Sequence, residues 1–156
     1  MMDQPNHSER PARRTALISQ ELSRYSVDIA VLSETRLADE GSLTESMGGY
    51  TFFWKGYPQE ERKIHGVGFA IRSTLLKSCP DNPIGLSARL MKMRIPLTNN
   101  RHITLLSCYA PTLQSDEDDK DAFYGRLDEE VRRVQSPDKL IVIGDFNARV
   151  GRANLS

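Results

Sequence analysis

Cysteine and histidine are scarce in this chain, and their scarcity argues against several kinds of site. The two cysteines, Cys79 and Cys108, lie far apart and outside any CxxC spacing. That arrangement argues against a disulfide scaffold or a zinc site and favours a reducing, intracellular compartment. The three histidines share no spacing typical of metal ligands or of a catalytic triad. The sequence therefore predicts neither a sulfur-rich scaffold nor a histidine-based site.

An excess of one charge and a long hydrophobic stretch are also missing. The chain has 21 basic and 21 acidic residues, so its formal net charge is zero. A strong electrostatic footprint for nucleic acid is therefore absent, although local basic patches are still allowed. No apolar stretch approaches the roughly 20 residues that span a bilayer, and the polar residues 1–14 lack the apolar segment of a signal peptide. We expect a protein of the nucleus or cytoplasm, neither secreted nor bound to a membrane.

The length and composition are those of one globular domain. The 156 residues are 38% hydrophobic and 27% charged, which is typical of an ordinary soluble protein. We expect residues 1–10 to be a disordered lead-in and residues 11–156 to form the domain. No internal repeat, low-complexity tract or linker divides it.

Two stretches have the period of an amphipathic helix. The first covers about residues 11–25, and its predicted apolar face consists of Leu17, Ile18, Leu22 and Tyr25. The second begins at Ser115, where Ser115 and Asp118 fit a capping box, and it ends before Pro137. The acidic residues 116–121 are expected to be its solvated start. The predicted apolar stripe of this second helix consists of Phe123, Leu127, Val131 and Val134.

Short apolar or alternating stretches predict β-strands. These stretches are residues 28–33, 50–54, 66–71, 89–97, 102–109 and 139–143. Thr98-Asn99-Asn100 supplies a turn, so the strands on either side of it should form an antiparallel hairpin. Residues 37–49, which hold three glycines, are expected to form a loop. Helix and strand patterns alternate around the hairpin, which predicts an α/β fold with a mixed β-sheet and flanking helices.

Polar residues stand where three of the predicted strands end. Glu34 follows the first strand, Tyr109 ends the fifth, and Asp145 and Asn147 follow the last. Open α/β sheets bind ligands at the ends of their strands, so we expect these side chains to share one crevice. Two carboxylates, a phenol and a carboxamide suit a hard cation such as Mg²⁺ together with a phosphate group.

Each of these residues also has a plainer explanation, which the sequence leaves open. An acidic residue after a strand, such as Glu34, often forms a turn or caps a helix. Asp145 and Asn147 fit an Asx turn, and Tyr109 fits a packed aromatic residue with its hydroxyl at the surface. Gly66-Val67-Gly68 forms no GxGxxG or Walker loop, so nucleotide binding has no support. Small residues in a strand are typical of close backbone approach or a bulge.

Several motifs, in this order and spacing, resemble those of the endonuclease/exonuclease/phosphatase superfamily. They are Ser33-Glu34-Thr35-Arg36, Tyr109-Ala110-Pro111 and Gly144-Asp145-Phe146-Asn147. Residues 49–54 and 65–71 narrow the likeness to retrotransposon-type endonuclease domains and craniofacial development protein 2-like proteins. The similarity runs from about residue 15 to residue 151 and implies about half of a two-sheet, DNase I-like α/β sandwich.

The resemblance implies roles for five residues. Glu34 would bind the metal ion, Mg²⁺ or Mn²⁺, and Arg36 would lie near the phosphate. Tyr109, Asp145 and Asn147 would be catalytic: the tyrosine would contact the scissile phosphate, the aspartate would align or activate water or assist the leaving group, and the asparagine would orient both. The family reaction is metal-assisted hydrolysis of a phosphodiester, with DNA as the implied partner.

The chain departs from the family pattern at both ends. The family's first strand carries an asparagine that supports the metal site, whereas Asn6 lies in the polar lead-in, and the terminal Ser-Asp-His motif is missing. Losing such a histidine typically costs about 10²- to 10⁴-fold in rate, so we expect a partial domain with weak or no activity. A lone sheet would expose apolar surface and favour self-association. The alternative is a non-catalytic remnant or interaction protein derived from a retrotransposon endonuclease.

Overall fold

A computed structural model describes residues 9–37, 39–58 and 66–147. The helices of these segments are α1 (Glu9–Arg24), α2 (Ser73–Leu76) and α3 (Glu117–Arg133). The strands are β1 (Ile29–Ser33), β2 (Glu40–Glu45), β3 (Tyr50–Gly56), β4 (Gly66–Arg72), β5 (Ile84–Ser87), β6 (Leu90–Pro96), β7 (His102–Tyr109) and β8 (Lys139–Asp145). Most of the predicted lead-in, Asn6, His7, His65 and the residues after Asn147 lie outside the described segments.

The strands form two four-stranded sheets. In the first sheet the order is β1-β4-β3-β2, and every pair is antiparallel. The order in the second sheet is β5-β6-β7-β8. The predicted hairpin is confirmed, since β6 pairs with β7 antiparallel, and β8 then lies parallel to β7. The expectation of a lone sheet is wrong, because both layers of a sandwich are already present.

The main hydrophobic core lies between the two sheets. Phe53, Phe69 and Ile71 of the first sheet share a buried cluster with Met91 and Leu105 of the second. Side chains alternate between the two faces of a strand. In β7, Leu105 therefore faces this core, whereas Leu106 and Cys108 face α3. The packed sheets hold the ends of β1 and β7 at a fixed separation.

Close backbone approach explains the small residues of β4. A Cβ atom at Gly68 would lie 2.5 Å from the carbonyl oxygen of Phe53. That distance is well inside van der Waals contact, so only glycine fits this position between its neighbours. The close approach predicted for Gly66-Val67-Gly68 is therefore observed.

The buried face of helix α1 overlaps the predicted apolar face only in part: Ile18 and Leu22 pack against the sheet as predicted, whereas Leu17 and Tyr25 do not. Leu17 and Tyr25 are 65% and 70% exposed, respectively. The face turned to the sheet consists of Thr15, Ile18, Ser19 and Leu22. Those positions follow the i, i+3, i+4, i+7 period, and small hydroxyl side chains let the helix lie close to the sheet. The Thr15 hydroxyl also donates a hydrogen bond to Glu45 Oε1 at 3.0 Å.

The loop expected over residues 37–49 is wrong, because it contains strand β2. This strand forms the edge of the first sheet and pairs with β3 through six residues, from Glu40–Lys55 to Glu45–Tyr50. Its exposed and half-buried residues alternate along the strand. An edge strand with a polar outer face is rich in the same residue types as a loop. For this reason the composition of residues 37–49 predicted a loop. Strand β5 and helix α2 were likewise not predicted.

The N-cap of helix α3 lies one residue later than predicted. Asp116 is the N-cap, and its carboxylate accepts a hydrogen bond from the Asp119 backbone N–H at 2.8 Å. The expected cap at Ser115 is therefore wrong. Val131 of the predicted stripe is 38% exposed, whereas Glu130 is buried and forms ion pairs with lysine and arginine side chains. These contacts compensate the cost of burying its charge.

Candidate functional site

The ends of the two sheets are joined by a hydrogen bond between Glu34 and Tyr109. Glu34 follows the last residue of β1 with a left-handed backbone (φ 51°), and its side chain is exposed. Tyr109 is the last residue of β7 and is only 4% exposed. Its phenol donates to Glu34 Oε1 at 2.8 Å. The carboxylate and the phenol, which lie far apart in the sequence, are therefore in direct contact at one site.

The surroundings of Tyr109 keep its phenol protonated. Burial is the main cause of a raised pKa, and the hydrogen bond to Glu34 adds to it, so the pKa of Tyr109 rises to about 12. The charge of Asp145 acts in the same direction, while the charge of Arg89 opposes it. At neutral pH the hydroxyl is therefore a hydrogen-bond donor and carries no charge.

Arg89 holds Tyr109 from the side and was missed in the sequence. Its guanidinium Nη1 donates to the Tyr109 carbonyl oxygen at 3.1 Å, and its Cζ lies 5.4 Å from the centre of the ring. The backbone N–H of Tyr109 also donates to the Arg89 carbonyl oxygen at 2.9 Å. Arg89 belongs to no motif, and only the turn between β5 and β6 brings it here.

Asp145 and Asn147 reach the same place through the parallel pairing of β7 and β8. Tyr109 lies opposite Asp145 in this pairing, and the Ala110 N–H donates to the Asp145 carbonyl oxygen at 2.8 Å. The Asn147 N–H donates to Asp145 Oδ1 at 2.9 Å, which is the Asx turn considered above. The Asn147 amide Nδ2 donates to the Ala110 carbonyl oxygen at 2.7 Å. The turn fixes one oxygen of the exposed Asp145 carboxylate and directs the other toward solvent or a ligand.

Gly144 is required by the close approach of these two strands. Its φ is 157°, and a Cβ atom at this position would overlap the backbone carbonyl group of Cys108. Glycine is therefore needed where the parallel pairing of β7 and β8 delivers Asp145 to the site.

Arg36 lies apart from the other four predicted residues. It is exposed, has a left-handed backbone (φ 56°), and follows Glu34 by two residues. Within the described segments, no hydrogen bond or ion pair joins its side chain to Glu34, Tyr109, Asp145 or Asn147. The structure thus joins four of the five predicted residues through hydrogen bonds and strand pairing, and among the described residues Arg36 is bonded to none of these four.

The atoms at this site that could bind a metal ion are the carboxylate oxygens of Glu34 and Asp145. Among the described residues, no three His, Cys, Asp or Glu side chains cluster closely enough to form a complete metal cage. Mg²⁺ needs no such cage, since one or two carboxylates, water molecules and substrate phosphate oxygens suffice. The carboxylates of Glu34 and Asp145 therefore fit a hard divalent cation.

No imidazole accompanies this pocket in the described part of the chain. His102 is the one histidine there, and it begins β7, whereas Tyr109 ends that strand. Seven residue steps of about 3.3 Å place the two positions roughly 23 Å apart. His102 therefore lies at the opposite end of the sheet from the pocket.

The fold and the pocket together define a class: a two-sheet α/β sandwich with carboxylate, phenol and amide groups at converging strand ends. Residues 4–154 match the Endonuclease/Exonuclease/phosphatase family, and this chain belongs to it. The resemblance seen in the sequence is thereby confirmed.

Relatives and solved structures agree with this assignment. Craniofacial development protein 2 of Bos taurus is 25% identical over 139 residues, which cover 86% of this chain and 22% of that protein. The AP endonuclease LMAP of Leishmania major has a TM-score of 0.55 at 18% identity, over 86% of this chain and 50% of its own. A humanized D. rerio TDP2 has a TM-score of 0.59 at 13% identity, and the match covers 92% of this chain and 62% of that structure's chain.

These coverages confirm the predicted fold class, because this chain corresponds to about half of the matched structures. It spans less than a quarter of the length of the curated relative. None of the described helices combines the length and apolar character needed to cross a membrane.

Proposed function

We propose that this chain is a metal-dependent phosphodiesterase domain that hydrolyses nucleic-acid phosphodiester bonds, with DNA as the substrate. The observation that carries the proposal is the hydrogen bond from Tyr109 to Glu34, which joins the two sheets beside Asp145 and Asn147. Family membership supports the reaction class, and the name of the AP endonuclease neighbour supports a DNA substrate.

Glu34 would hold the cation, with Asp145 close by, opposite Tyr109 in the pairing of β7 and β8. Since Glu34 Oε1 accepts the bond from Tyr109, Oε2 is the oxygen left for the metal ion. When bound, Mg²⁺ or Mn²⁺ would offset the negative charge that develops on the phosphate oxygens.

Tyr109, Asp145 and Asn147 would position the phosphate and the water. The protonated phenol of Tyr109 can donate to a phosphate oxygen, because its pKa of about 12 keeps the proton in place. Asp145 would accept a proton from the attacking water or align it, and the backbone N–H of Asn147 already fixes one oxygen of that carboxylate. Arg36 would attract the phosphate by its charge.

A second candidate function is that of a non-catalytic remnant or interaction protein derived from a retrotransposon endonuclease. The observation that favours it is the exposed apolar face of β8, where Ile141 and Ile143 are 41% and 44% exposed at the edge of the second sheet. Such a face would support self-association or a partner contact.

Plasmid nicking separates the two candidates. Supercoiled plasmid is incubated with the chain and Mg²⁺, and the assay is repeated with Glu34→Gln and Asp145→Asn. Glu117→Gln and Asp128→Asn, which remove the same charges from exposed positions of α3, are the matched controls. Nicking that both site variants abolish and both controls retain supports the phosphodiesterase. Absence of nicking by the unaltered chain supports the remnant.

A further inference from the structure

A second cavity borders the candidate site on the far side of Arg89. Its volume is about 180 Å³, and it lies between the turn that joins β5 to β6 and the first half of α3. The residues that matter for its chemistry are Tyr57, Ser87, Arg89, Asp119 and Arg126. The charged members of the lining are two arginines and one aspartate, so the cavity carries a net positive charge.

Arg89 has no carboxylate partner among the described residues, and Arg126 keeps one donor without an acceptor. Within the described segments, no carboxylate lies within ion-pair distance of Arg89, whose bonds go to the Tyr109 carbonyl and ring. Arg126 contacts Glu129 and Glu130 through its terminal nitrogens at 3.8 and 3.6 Å. Its Nε is buried and has no hydrogen-bond partner among the described residues. An unpaired buried donor is costly, so the Arg126 guanidinium gains stability if it turns to meet an anion in the cavity.

We infer that this cavity binds a backbone phosphate of the nucleic-acid strand, next to the phosphate under attack at Tyr109. The inference rests on the proposed function. The planar guanidinium fork matches the oxygens of a phosphate, and two such groups face one cavity. Arg89 touches both Tyr109 and the cavity, so the two phosphate positions adjoin. Phosphates recur about every 3.4 Å of helix axis along one strand, so a bound strand presents further phosphates close to the scissile one.

Salt-dependent binding tests this assignment. Binding of a fluorescent DNA duplex is measured by anisotropy in EDTA, which prevents metal-dependent cleavage, at 50 to 200 mM salt. Arg126→Gln should weaken binding about tenfold, and it should reduce the slope of log K against log salt by about 0.9, the value for one lost phosphate contact. Arg132→Gln, an exposed arginine later on the same helix, should change neither quantity. An unchanged slope for Arg126→Gln would overturn the inference.

A variant that should strengthen binding controls for misfolding, because a misfolded protein would only bind more weakly. Asp119→Asn removes the negative charge from the cavity wall at an exposed position, so it should tighten duplex binding two- to threefold. Asp118→Asn removes the same charge from the same helical turn outside the cavity and should leave affinity unchanged. Equal effects of the two aspartate variants would show a general charge effect and refute the assigned cavity.

The outcomes separate this inference from the proposed function. If the chain nicks plasmid but its binding does not depend on Arg126 or Asp119, the proposed function is supported and the inference about the cavity is refuted. A chain whose binding depends on both residues, but which never nicks, retains the inference and loses the function. Failure of the unaltered chain to bind duplex overturns the inference. AMP bound with the same dependence on Arg126 would mean that the cavity takes an isolated phosphate, which also overturns the assignment to a strand.

Discussion

Replacing Tyr109 with phenylalanine removes one oxygen atom from the junction between the sheets. The ring can keep its place against Arg89, and the Glu34 carboxylate loses the donor that lies 2.8 Å away. A hydrogen bond to a charged group contributes about 1.5–3 kcal/mol. Glu34 is exposed and water can replace the phenol, so we expect Tyr109→Phe to lower the free energy of unfolding by about 1 kcal/mol at neutral pH.

The sign of this effect should reverse at high pH. The pKa of the phenol rises from 10.0 in the unfolded chain to about 12 in the folded protein, so folding favours the protonated form. That contribution is fully present below pH 10 and is lost as the pH rises from 10 toward 12. Two pKa units correspond to nearly 3 kcal/mol, on the order of twice 1.4 kcal/mol, a loss that the phenylalanine variant does not undergo. The two stability curves should therefore cross near pH 11.

Urea unfolding of both proteins between pH 8 and 12 measures the two curves. The difference between their ultraviolet titrations isolates the ionisation of Tyr109 and reports its pKa directly. In the nicking assay, the loss of this donor should lower the rate by about 10²- to 10³-fold. A stability difference that is the same at every pH, or a titration near 10, would refute the assigned environment of Tyr109.

Three further substitutions test the elements around the site. Gly144→Ala forces a methyl group onto the backbone of Cys108, so it should destabilise the fold by about 3 kcal/mol or more, as measured by urea unfolding. Asp116→Ala removes the acceptor of the Asp119 N–H and should lower the melting temperature, at a cost of about 1 kcal/mol. Glycine in an ordinary strand or helix lowers stability by roughly 0.5–1 kcal/mol. Arg36→Gly should not lower the free energy of unfolding in this way, because Arg36 has a left-handed backbone that glycine adopts easily. A clear loss of stability in urea unfolding would contradict this.

The sequence predicted those parts of the fold whose pattern is set by local burial. The run Leu140–Ile143 and the alternation around Met91 and Met93 identified β8 and β6, because each strand meets a core on at least one face. Tyr109 and Asp145 were placed together because parallel neighbours end at the same edge. The strands follow from periodicity alone, whereas the shared position of Tyr109 and Asp145 follows from the convergence of strand ends in an open sheet.

The errors fall where a partner element decides the outcome. Leu17 is exposed and Ser19 is buried in α1 because the sheet approaches the side of the helix that carries small residues. Glu130 is buried because cations from α3 and from Lys92 of β6 converge on it. Arg89 reaches Tyr109 through a turn whose strand β5 was not predicted. No periodicity within one segment holds this information, since each contact joins segments far apart in the chain.

The close approach at Gly68 bears directly on the site. The hydroxyl of Ser107 is fully buried and donates to the Gly68 carbonyl oxygen at 3.2 Å, which ties the second sheet to the first. Ser107 and Tyr109 are two residues apart and so face the same side of β7, while Gly68 pairs with Leu32, two residues before Glu34. The buried bond joins β7 to β4, and the bond at the site joins β7 to the residue that follows β1, the strand next to β4. Because the buried bond fixes the separation of the sheets close to the site, the carboxylate and the phenol meet at hydrogen-bond distance before any ligand arrives.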